Sequence, residues 1–376
     1  ANTSSTVEVT SDEAFAAGDL YISVLPGVTH TQGVLVSCYN GAEKVGAYLV
    51  DKPVITEPSV TLTFDVFEPN GNYYVTAEGA GNNNGLSLAN AMPVAKMVAL
   101  IQKSANDAAA KAAVNGAVFH FAAGEYELAE QALNLSYTGD PVKLTFKAEG
   151  EVAFSGNDAH TIMAINGADV TLEGISITKS VAKETLTGAF KVSGANSKLT
   201  LKGCSVKENY VEGDNILCSC FALSEGASLT ATDCSFIDNT AYSAPVLYVD
   251  GAKVDMTNCK FEGNDSEAEV GVMLLEGDQE SNFTNCEVID NHAWSYGMIQ
   301  HVAGNTTFTN CDFKENAVNT GKYPGVFQLD SDGSGKVTII GGECSGNEAG
   351  TCGVVNQEAT GAELVMTDVV IKDNYG

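Results

Sequence analysis

The sequence contains no arginine. Its 19 basic residues are all lysines, they face 48 aspartates and glutamates, and the formal net charge is −29. A charge of this sign argues against a nucleic-acid backbone or an anionic membrane surface as partner. The apolar runs are also too short to span a bilayer, which excludes direct membrane insertion. The acidity itself is typical of an exported protein that must stay in solution.

One short pattern recurs through the second half of the chain. It alternates apolar and polar residues, as strands do, carries a cysteine at its centre and ends on an asparagine. A period of about 25 to 30 residues indicates a repeat architecture. The full copies span 199–209, 229–239, 254–264, 281–291 and 306–316, and weaker copies have Ile175, Gly342 or Val369 in place of the cysteine.

These repeats predict a parallel β-helix. A second apolar run follows each asparagine, as in 245–249 and 271–275. Short strands joined by glycine, asparagine and aspartate corners cannot form βαβ units, but they can coil so that each strand pairs with its equivalent about 4.8 Å further on. Equivalent side chains then stack, and we expect one ladder of Cys204, Cys234, Cys259, Cys286 and Cys311 and another of Asn209, Asn239, Asn264, Asn291, Asn316, Asn347 and Asn374.

The ten cysteines are expected to be buried free thiols. Stacked residues of parallel strands point the same way, so their β-carbons do not converge as a disulfide requires. Cysteine is also a small core residue. Cys218 and Cys220 have no second pair of ligands nearby in the sequence, so no zinc site is predicted.

Three regions are predicted along the chain. Residues 1–67 form a small antiparallel β domain with strands at 6–10, 20–25, 33–39, 45–50 and 60–67 and a hairpin signal at Asn40-Gly41. Residues 68–116 form an entry segment whose helix, at 87–114, caps the first coil; Asn90 is its expected N-cap and Pro93 lies in its first turn. The alanine-rich stretch 106–113 belongs either to this helix or to a second helical piece. Residues 117–376 form the β-helix. Its last coil shows no cap, so it is expected to be an exposed edge unless a partner, a loop or a missing segment covers it.

The repeat resembles known surface proteins. Segments such as 236–239 and 313–316, with runs such as Gly325-Val-Phe, are similar to the FxxN and GGA[ILV] repeats of polymorphic membrane proteins, bacterial adhesins on a right-handed β-helix. Segment 118–128 resembles the opening coil of the pectin-lyase-like superfamily. Segments 72–92 and 20–64 resemble exported and fimbrillin-like β proteins of Bacteroidetes-type bacteria. The resemblance implies an all-β fold, a right-handed parallel β-helix with a short capping helix and a β-sandwich-like N-terminal domain.

Two functions of different classes follow. The first is a non-enzymatic protein, exported to the cell surface in association with the outer membrane or secreted, that presents the β-helix for adhesion or glycan binding. The alternative is a polysaccharide lyase or glycoside hydrolase with an acidic groove. The chain lacks the arginine and the motif sets of related lyases and hydrolases, which favours the first. A structural spacer is a third reading.

The candidate site lies where the second strands end. Aligned by their closing glycines, Glu225, Asp250, Glu276, Asp330 and Glu358 are expected in one row about 4.8 Å apart. An adjacent outward row holds Tyr248, Leu274, Gln300, Gln328 and Asn356, and His301 is expected to face inward with its hydrogen bonds satisfied. No cofactor is predicted; calcium at 330–335 is an alternative. The residues expected to bind a glycan or host ligand are Tyr248, Glu276, Trp294, Gln300, Gln328, Asp330 and Asn356.

Overall fold

The computed structural model describes residues 71–376 apart from 82, 84, 130–131, 214, 279, 320–322, 331–333 and 359–360, together with the backbone of a few strands nearer the N-terminus. The chain divides into two compact units, residues 1–69 and 70–376. The strand expected at 6–10 lies outside the described residues.

The described strands of the first unit pair antiparallel. Asn40 pairs with Glu43, so the Asn40-Gly41 signal does mark a hairpin. One of the hairpin strands also pairs with a later strand. The bounds are Leu20–Ser23, Val34–Asn40, Glu43–Val50, Ser59–Leu62 and Asp65–Phe67.

The second unit is a parallel β-helix, which confirms the predicted fold class. Its wide sheet contains two strands of most coils, and each strand pairs in parallel with its equivalent one coil on. The bounds of these strands are Asn72–Thr76, Met92–Pro93, Ala117–Tyr126, Val142–Ser155, Ala168–Thr178, Lys198–Lys202, Ser205–Lys207, Ser228–Thr232, Ser235–Ile237, Lys253–Thr257, Lys260–Glu262, Glu280–Thr284, Glu287–Ile289, Asn305–Thr309, Asp312–Lys314, Ser334–Ile340, Glu343–Ser345, Gly361–Thr367 and Val370–Lys372.

A narrow sheet closes the other side of each coil. Among the described residues it has nine strands: Leu133–Ser136, Met163–Asn166, Phe190–Ser193, Phe221–Ser224, Leu247–Asp250, Met273–Glu276, Ile299–His301, Phe327–Leu329 and Val355–Gln357. Two-residue strands at the corners, all but the first of them directly after a ladder asparagine, form short corner sheets: Val181–Ala182, Tyr210–Val211, Thr240–Ala241, Asp265–Ser266, His292–Ala293 and Ala317–Val318.

Phenylalanines of neighbouring coils stack inside the solenoid. The rings of Phe236 and Phe261 are 4.9 Å apart, and those of Phe283 and Phe308 are 4.8 Å apart. Phe327 of the narrow sheet meets Phe308 edge-on at 5.4 Å. The two sheets therefore pack face to face through aromatic rows, because the period-two pattern places alternate residues of every strand inside.

The cysteine ladder lies at the bend between the two wide-sheet strands. Its five members are 1–3% exposed, and all described cysteines are free thiols. The backbone N–H of Cys204 donates to Cys234 Sγ at 3.4 Å, and that of Cys286 donates to Cys311 Sγ at 3.4 Å. The next coil has Gly342 there, where an added Cβ would collide with the carbonyl oxygen of Cys311.

Two helices lie at the N-terminal end of the β-helix, so the region predicted as helical over 87–114 begins later than expected and its alanine-rich end is the second helical piece. They span Val94–Ser104 and Ala108–Val114, after a 3₁₀ turn at Leu88–Asn90. Asn90 does not cap the first helix; Pro93 occupies the N-cap position because Met92 and Pro93 are held in a β pairing with Val75 and Thr76. Asp107 caps the second helix by accepting from the Ala110 N–H at 2.8 Å.

The two helices pack against the first coils. Met97, Ile101 and Val114 are buried, and Ser104 Oγ forms a hydrogen bond of 2.7 Å with the Tyr137 hydroxyl. They shield the end of the solenoid core, as a terminal cap must. Among the described residues, no helix is both long and apolar enough to cross a bilayer.

Candidate functional site

The predicted outward row does lie on one face of the narrow sheet. Tyr248, Leu274, Gln300, Gln328 and Asn356 are register partners on consecutive coils. The preceding position in these strands faces the solenoid interior, where Phe327 meets Phe308 and Phe313. The pleat therefore directs the row to the outside.

Four of the five side chains in this outward row are nevertheless buried, and Asn356 is half-buried. Tyr248 and Leu274 are each 7% exposed and Gln328 is 1% exposed. Tyr248 and Leu274 pack with Cys218, Ala244 and Val270 in a second hydrophobic cluster, outside the solenoid core. The segments between the corner sheets and the narrow sheet thus cover most of this face, and direct ligand contact by Tyr248 and Gln328 remains a prediction.

Four of the five predicted carboxylates form a row, which Val302 interrupts. Asp250 and Glu276 are direct register partners, and Asp330 and Glu358 continue the row at the equivalent position of later coils. Val302 holds that position in the coil between Glu276 and Asp330, so these two carboxylates are two coils, or about 9.6 Å, apart along the axis.

Glu225 does not belong to this row, which corrects the sequence alignment. Ser224 is the register partner of Asp250, and Ser228 is the partner of Lys253. The turn of that coil is therefore one residue longer, and the extra residue, Glu225, adopts a left-handed conformation with φ of 57°.

Each carboxylate beyond Asp250 accepts a hydrogen bond from the outward row. The Tyr248 hydroxyl donates to Glu276 Oε2 at 2.9 Å, and Gln300 Nε2 donates to Asp330 Oδ2 at 2.6 Å. Asn356 Nδ2 donates to Glu358 Oε1 and to Gln328 Oε1, both at 3.0 Å. We call this set the polar ladder; it consists of Tyr248, Glu276, Gln300, Gln328, Asp330, Asn356 and Glu358. Burial and the hydrogen bond to Glu276 raise the pKa of Tyr248, so it donates at any physiological pH.

A pair of tyrosines lies beside the polar ladder, and Trp294 is close to them in sequence. The Tyr296 and Tyr323 rings are 4.4 Å apart with planes inclined at 44°, and Tyr296 packs against the cluster that contains Tyr248. Trp294, two residues before Tyr296, is 49% exposed. The hydrogen bond to Tyr323 and burial raise the pKa of Tyr296 to about 12, and the charges of Glu269 and Asp330 act in the same direction. We call Trp294, Tyr296 and Tyr323 the aromatic corner.

Tyr323 is the functional candidate that the sequence reasoning missed. A signal was present, because Tyr296 and Tyr323 both come shortly before the glycine that opens a narrow-sheet strand, Gly297 and Gly325 respectively. The seven predicted ligand residues thus separate into a buried support, namely Tyr248, Gln300 and Gln328, and a more accessible set, namely Glu276, Trp294, Asp330 and Asn356.

His301 faces inward as predicted, but its hydrogen bonds are not satisfied. It is 1% exposed and lies in the column of Leu275 and Leu329. Within the described part of the chain, neither ring nitrogen has a hydrogen-bond partner, and burial lowers the pKa of the imidazole. A neutral histidine in this position is not an acid–base group of the outer face.

No group of three or more histidine, cysteine, aspartate or glutamate side chains among the described residues could enclose a metal ion. The calcium loop considered at 330–335 lies partly outside the described residues, which leave out 331–333.

Comparisons with known proteins give the following likenesses. No family model matches the chain, and no curated protein matches it. Among solved structures, the chain is similar to the pectate lyase Pel9A with a TM-score of 0.37 and 15% identity, over 81% of this chain and 78% of that one. It is also similar to the catalytic domain of a GH87 α-1,3-glucanase variant in complex with tetrasaccharides, with a TM-score of 0.30 and 10% identity, over 92% and 87% of the two chains. Similarities this low carry no functional argument.

Proposed function

We propose that this protein binds glycans, without catalysis, at the aromatic corner and the exposed rim of the polar ladder. The observation that carries the proposal is the half-exposed Trp294, two residues before Tyr296, whose ring lies 4.4 Å from the ring of Tyr323. An aromatic ring face covers the apolar C–H groups of a sugar, while neighbouring amides and carboxylates accept and donate hydrogen bonds to its hydroxyls. The polar ladder supplies such groups in Asp330 and Asn356.

The charge of the site sets the class of glycan. Asp250, Glu276, Asp330 and Glu358 stand in one row on a chain of net charge −29. A uronate or sulfate would be repelled by this row, whereas a neutral or amino sugar would not. The ligand is therefore an uncharged or cationic glycan of a host or cell surface. In this role the protein is exported, to the cell surface or the medium, as the adhesin-like repeats imply.

The test is an array of neutral, amino, uronate and sulfated glycans, followed by calorimetry on the hits. Trp294→Ala is expected to weaken binding about 10-fold or more, because a few residues contribute most of the binding free energy at such sites and tryptophan is prominent among them. Tyr210→Ala is the matched control, because Tyr210 is an exposed aromatic of another corner strand. The proposal is wrong if no glycan on the array binds, or if Trp294→Ala and Tyr210→Ala bind with equal affinity.

A hydrolase or lyase is the second candidate, and one observation favours it. Asp250 and Glu276 are direct register partners, which spaces their Cα atoms at about 4.8 Å, near the carboxyl separation of retaining glycosidases. Glu276→Gln distinguishes the two functions. If the protein only binds glycans, the wild type releases no reducing ends or unsaturated products from polysaccharides. If the wild type releases such products and Glu276→Gln does not, the protein is an enzyme instead.

A further inference from the structure

Acidic side chains of neighbouring coils flank the aromatic corner. The backbone N–H of Ser295 donates to the Glu269 carbonyl at 3.1 Å, so Glu269 lies one coil before Tyr296. Asp330 and Tyr323 belong to the coil after that of Tyr296. The hydrogen bond to Tyr323 and burial raise the pKa of Tyr296, and the charges of Glu269 and Asp330 raise it further, as nearby negative charges do. The two carboxylates therefore lie near the tyrosine pair.

Glu269 forms no ion pair with a lysine among the described residues. The ion pairs of the described lysines lie elsewhere on the solenoid; that of Lys260 with Glu262, at 2.8 Å, lies on the wide sheet. Lys322, which precedes Tyr323 in sequence, lies outside the described residues. The Glu269 residue is half-buried, so a ligand can reach it. On a chain of net charge −29, such a carboxylate attracts a cation.

Aromatic faces near a carboxylate suit an ammonium group. A cation within about 6 Å of the centroid of a tyrosine or tryptophan ring is attracted by the ring face. Its N–H groups can also donate charge-assisted hydrogen bonds to the carboxylate. The rings of Tyr296 and Tyr323 are 4.4 Å apart, too close for an ion to enter between them, so a ligand meets their outer faces and the half-exposed Trp294.

We propose that the aromatic corner selects glycans whose sugars carry a free amine. The ammonium lies against a ring face of the aromatic corner and donates to the carboxylate of Glu269, and the charge of Asp330 adds to the attraction. The inference rests on the proposed glycan binding and narrows its ligand from neutral or cationic sugars to cationic ones. N-acetylation removes the charge and leaves one N–H donor of three, so the acetylated sugar binds more weakly.

The test compares glucosamine oligomers of one length, with free or N-acetylated amines, by calorimetry on the full chain. The free-amine oligomer is expected to bind about 10-fold more tightly, the effect of one hydrogen bond between charged groups. Glu269→Gln keeps the size of the side chain but removes its charge. It is expected to weaken binding of the free-amine oligomer about 10-fold and to change that of the acetylated oligomer less than about 2-fold. Raising the salt concentration from about 0.05 to about 0.5 M is expected to weaken binding of the free-amine oligomer only.

Glu267→Gln is the matched control. Glu267 is an exposed carboxylate two residues earlier in the same segment, and its replacement changes the net charge of the chain by the same amount. The affinities for both oligomers are expected to stay as in the wild type. Circular dichroism of each variant establishes that it folds.

The results that overturn this inference differ from those that overturn glycan binding. If both oligomers bind equally well and Trp294→Ala weakens both, the protein binds glycans without selecting amines. If Glu267→Gln weakens binding of the free-amine oligomer as much as Glu269→Gln does, the net charge of the chain attracts the ligand, and the aromatic corner does not select it. If neither oligomer binds but other glycans do, amine selection is wrong and the proposed function stands; if no glycan binds, both are wrong.

Discussion

Asn264 Nδ2 donates to Asn291 Oδ1 at 2.8 Å, one coil further along the solenoid. The same nitrogen donates to the Phe236 carbonyl of an earlier coil at 3.0 Å, and the Asn264 backbone N–H shares the Asn291 Oδ1 acceptor. The relationship repeats through the row with Nδ2–Oδ1 distances of 2.8–3.0 Å, over Asn209, Asn239, Asn264, Asn291, Asn316, Asn347 and Asn374. One buried side chain thus ties three coils together.

Replacing Asn264 by alanine is expected to destabilise the protein by about 2–5 kcal/mol. The change leaves the Asn239 backbone N–H and Nδ2 without their acceptor and the Phe236 carbonyl without its side-chain donor. Each buried group left unpaired carries a desolvation cost. Urea unfolding followed by circular dichroism measures the loss as a shift of the midpoint.

Asn282→Ala is the control for this variant. Asn282 also forms a ladder contact, to Asp255 Oδ1 at 2.8 Å, but it is half-buried on the outside of the wide sheet. Water replaces that contact, so the change is expected to cost less than about 0.5 kcal/mol. Equal shifts for the two variants would contradict the structural role assigned to the buried asparagine row.

The coil geometry was predictable because one periodic signal repeats many times. The cysteine and asparagine positions recur, and apolar and polar residues alternate between them in every copy. A departure in one copy, such as Gly342 in place of cysteine, therefore does not disturb the alignment. The misplaced Glu225 shows the opposite case. Its closing glycine, Gly226, resembles those of the later coils, but the turn has one residue more than the turn of the next coil, and the register follows the strands.

The covering of the narrow sheet was not predictable from pattern. Leu274 and Tyr248 occupy positions that alternation assigns to solvent, and the segments that bury them, with Val270 and Tyr296, have no repeat of their own. The start of the first capping helix was predicted too early for a related reason. Met92 and Pro93 lie within the predicted range 87–114 but pair with Val75 and Thr76, and Val75 and Met92 are 17 residues apart in sequence. Long-range contacts of this kind leave no local signal.

His301→Leu is expected to stabilise the protein, and more so in acid. Burial lowers the pKa of His301, so the unfolded chain binds a proton at a pH where the folded chain does not. The wild-type protein therefore keeps its stability above the pKa of His301 in the unfolded chain, about 6.5. It loses stability as the pH falls towards the lower pKa of His301 in the folded chain. Leucine fits the column of Leu275 and Leu329. It also removes the unpaired ring nitrogens, whose burial costs about 1–3 kcal/mol.

Urea midpoints at two pH values, about 8 and about 5.5, on either side of the unfolded pKa, check this expectation. Gln328→Leu is the control, because Gln328 is as buried but does not titrate, so its effect is expected to be the same at both pH values. A His301→Leu effect that does not grow in acid would contradict the assignment of a neutral buried imidazole.

His292 is expected to show the reverse pH dependence. Burial lowers its pKa, but the hydrogen bonds to Asn319 and Asp265 and the Asp265 charge outweigh burial and raise the pKa overall. The Nδ1–Oδ1 distance to Asp265 is 2.6 Å. The contact therefore stabilises the fold below the unfolded pKa, and this contribution is lost as the pH rises through the folded value. NMR titration of the imidazole is expected to give a pKa above about 6.5, falling in Asp265→Asn; an unchanged value in that variant would refute the pairing.

Tyr248→Phe tests whether the polar ladder supports the site or forms it. Burial and the hydrogen bond to Glu276 raise the pKa of Tyr248, so absorbance titration of the wild type is expected to show a late phenolate phase that Tyr248→Phe removes. Glu276→Gln is expected to shift that phase to lower pH, because it deletes the charge that opposes ionisation. The ring remains in its cluster with Leu274, so the loss of stability is expected to be about 0.5–1.5 kcal/mol.

Since Tyr248 is 7% exposed, glycan binding is expected to survive in Tyr248→Phe, whereas Trp294→Ala loses it. A Tyr248→Phe protein that is stable but binds no glycan would place the ligand against the buried row, and the aromatic corner would then be its entrance.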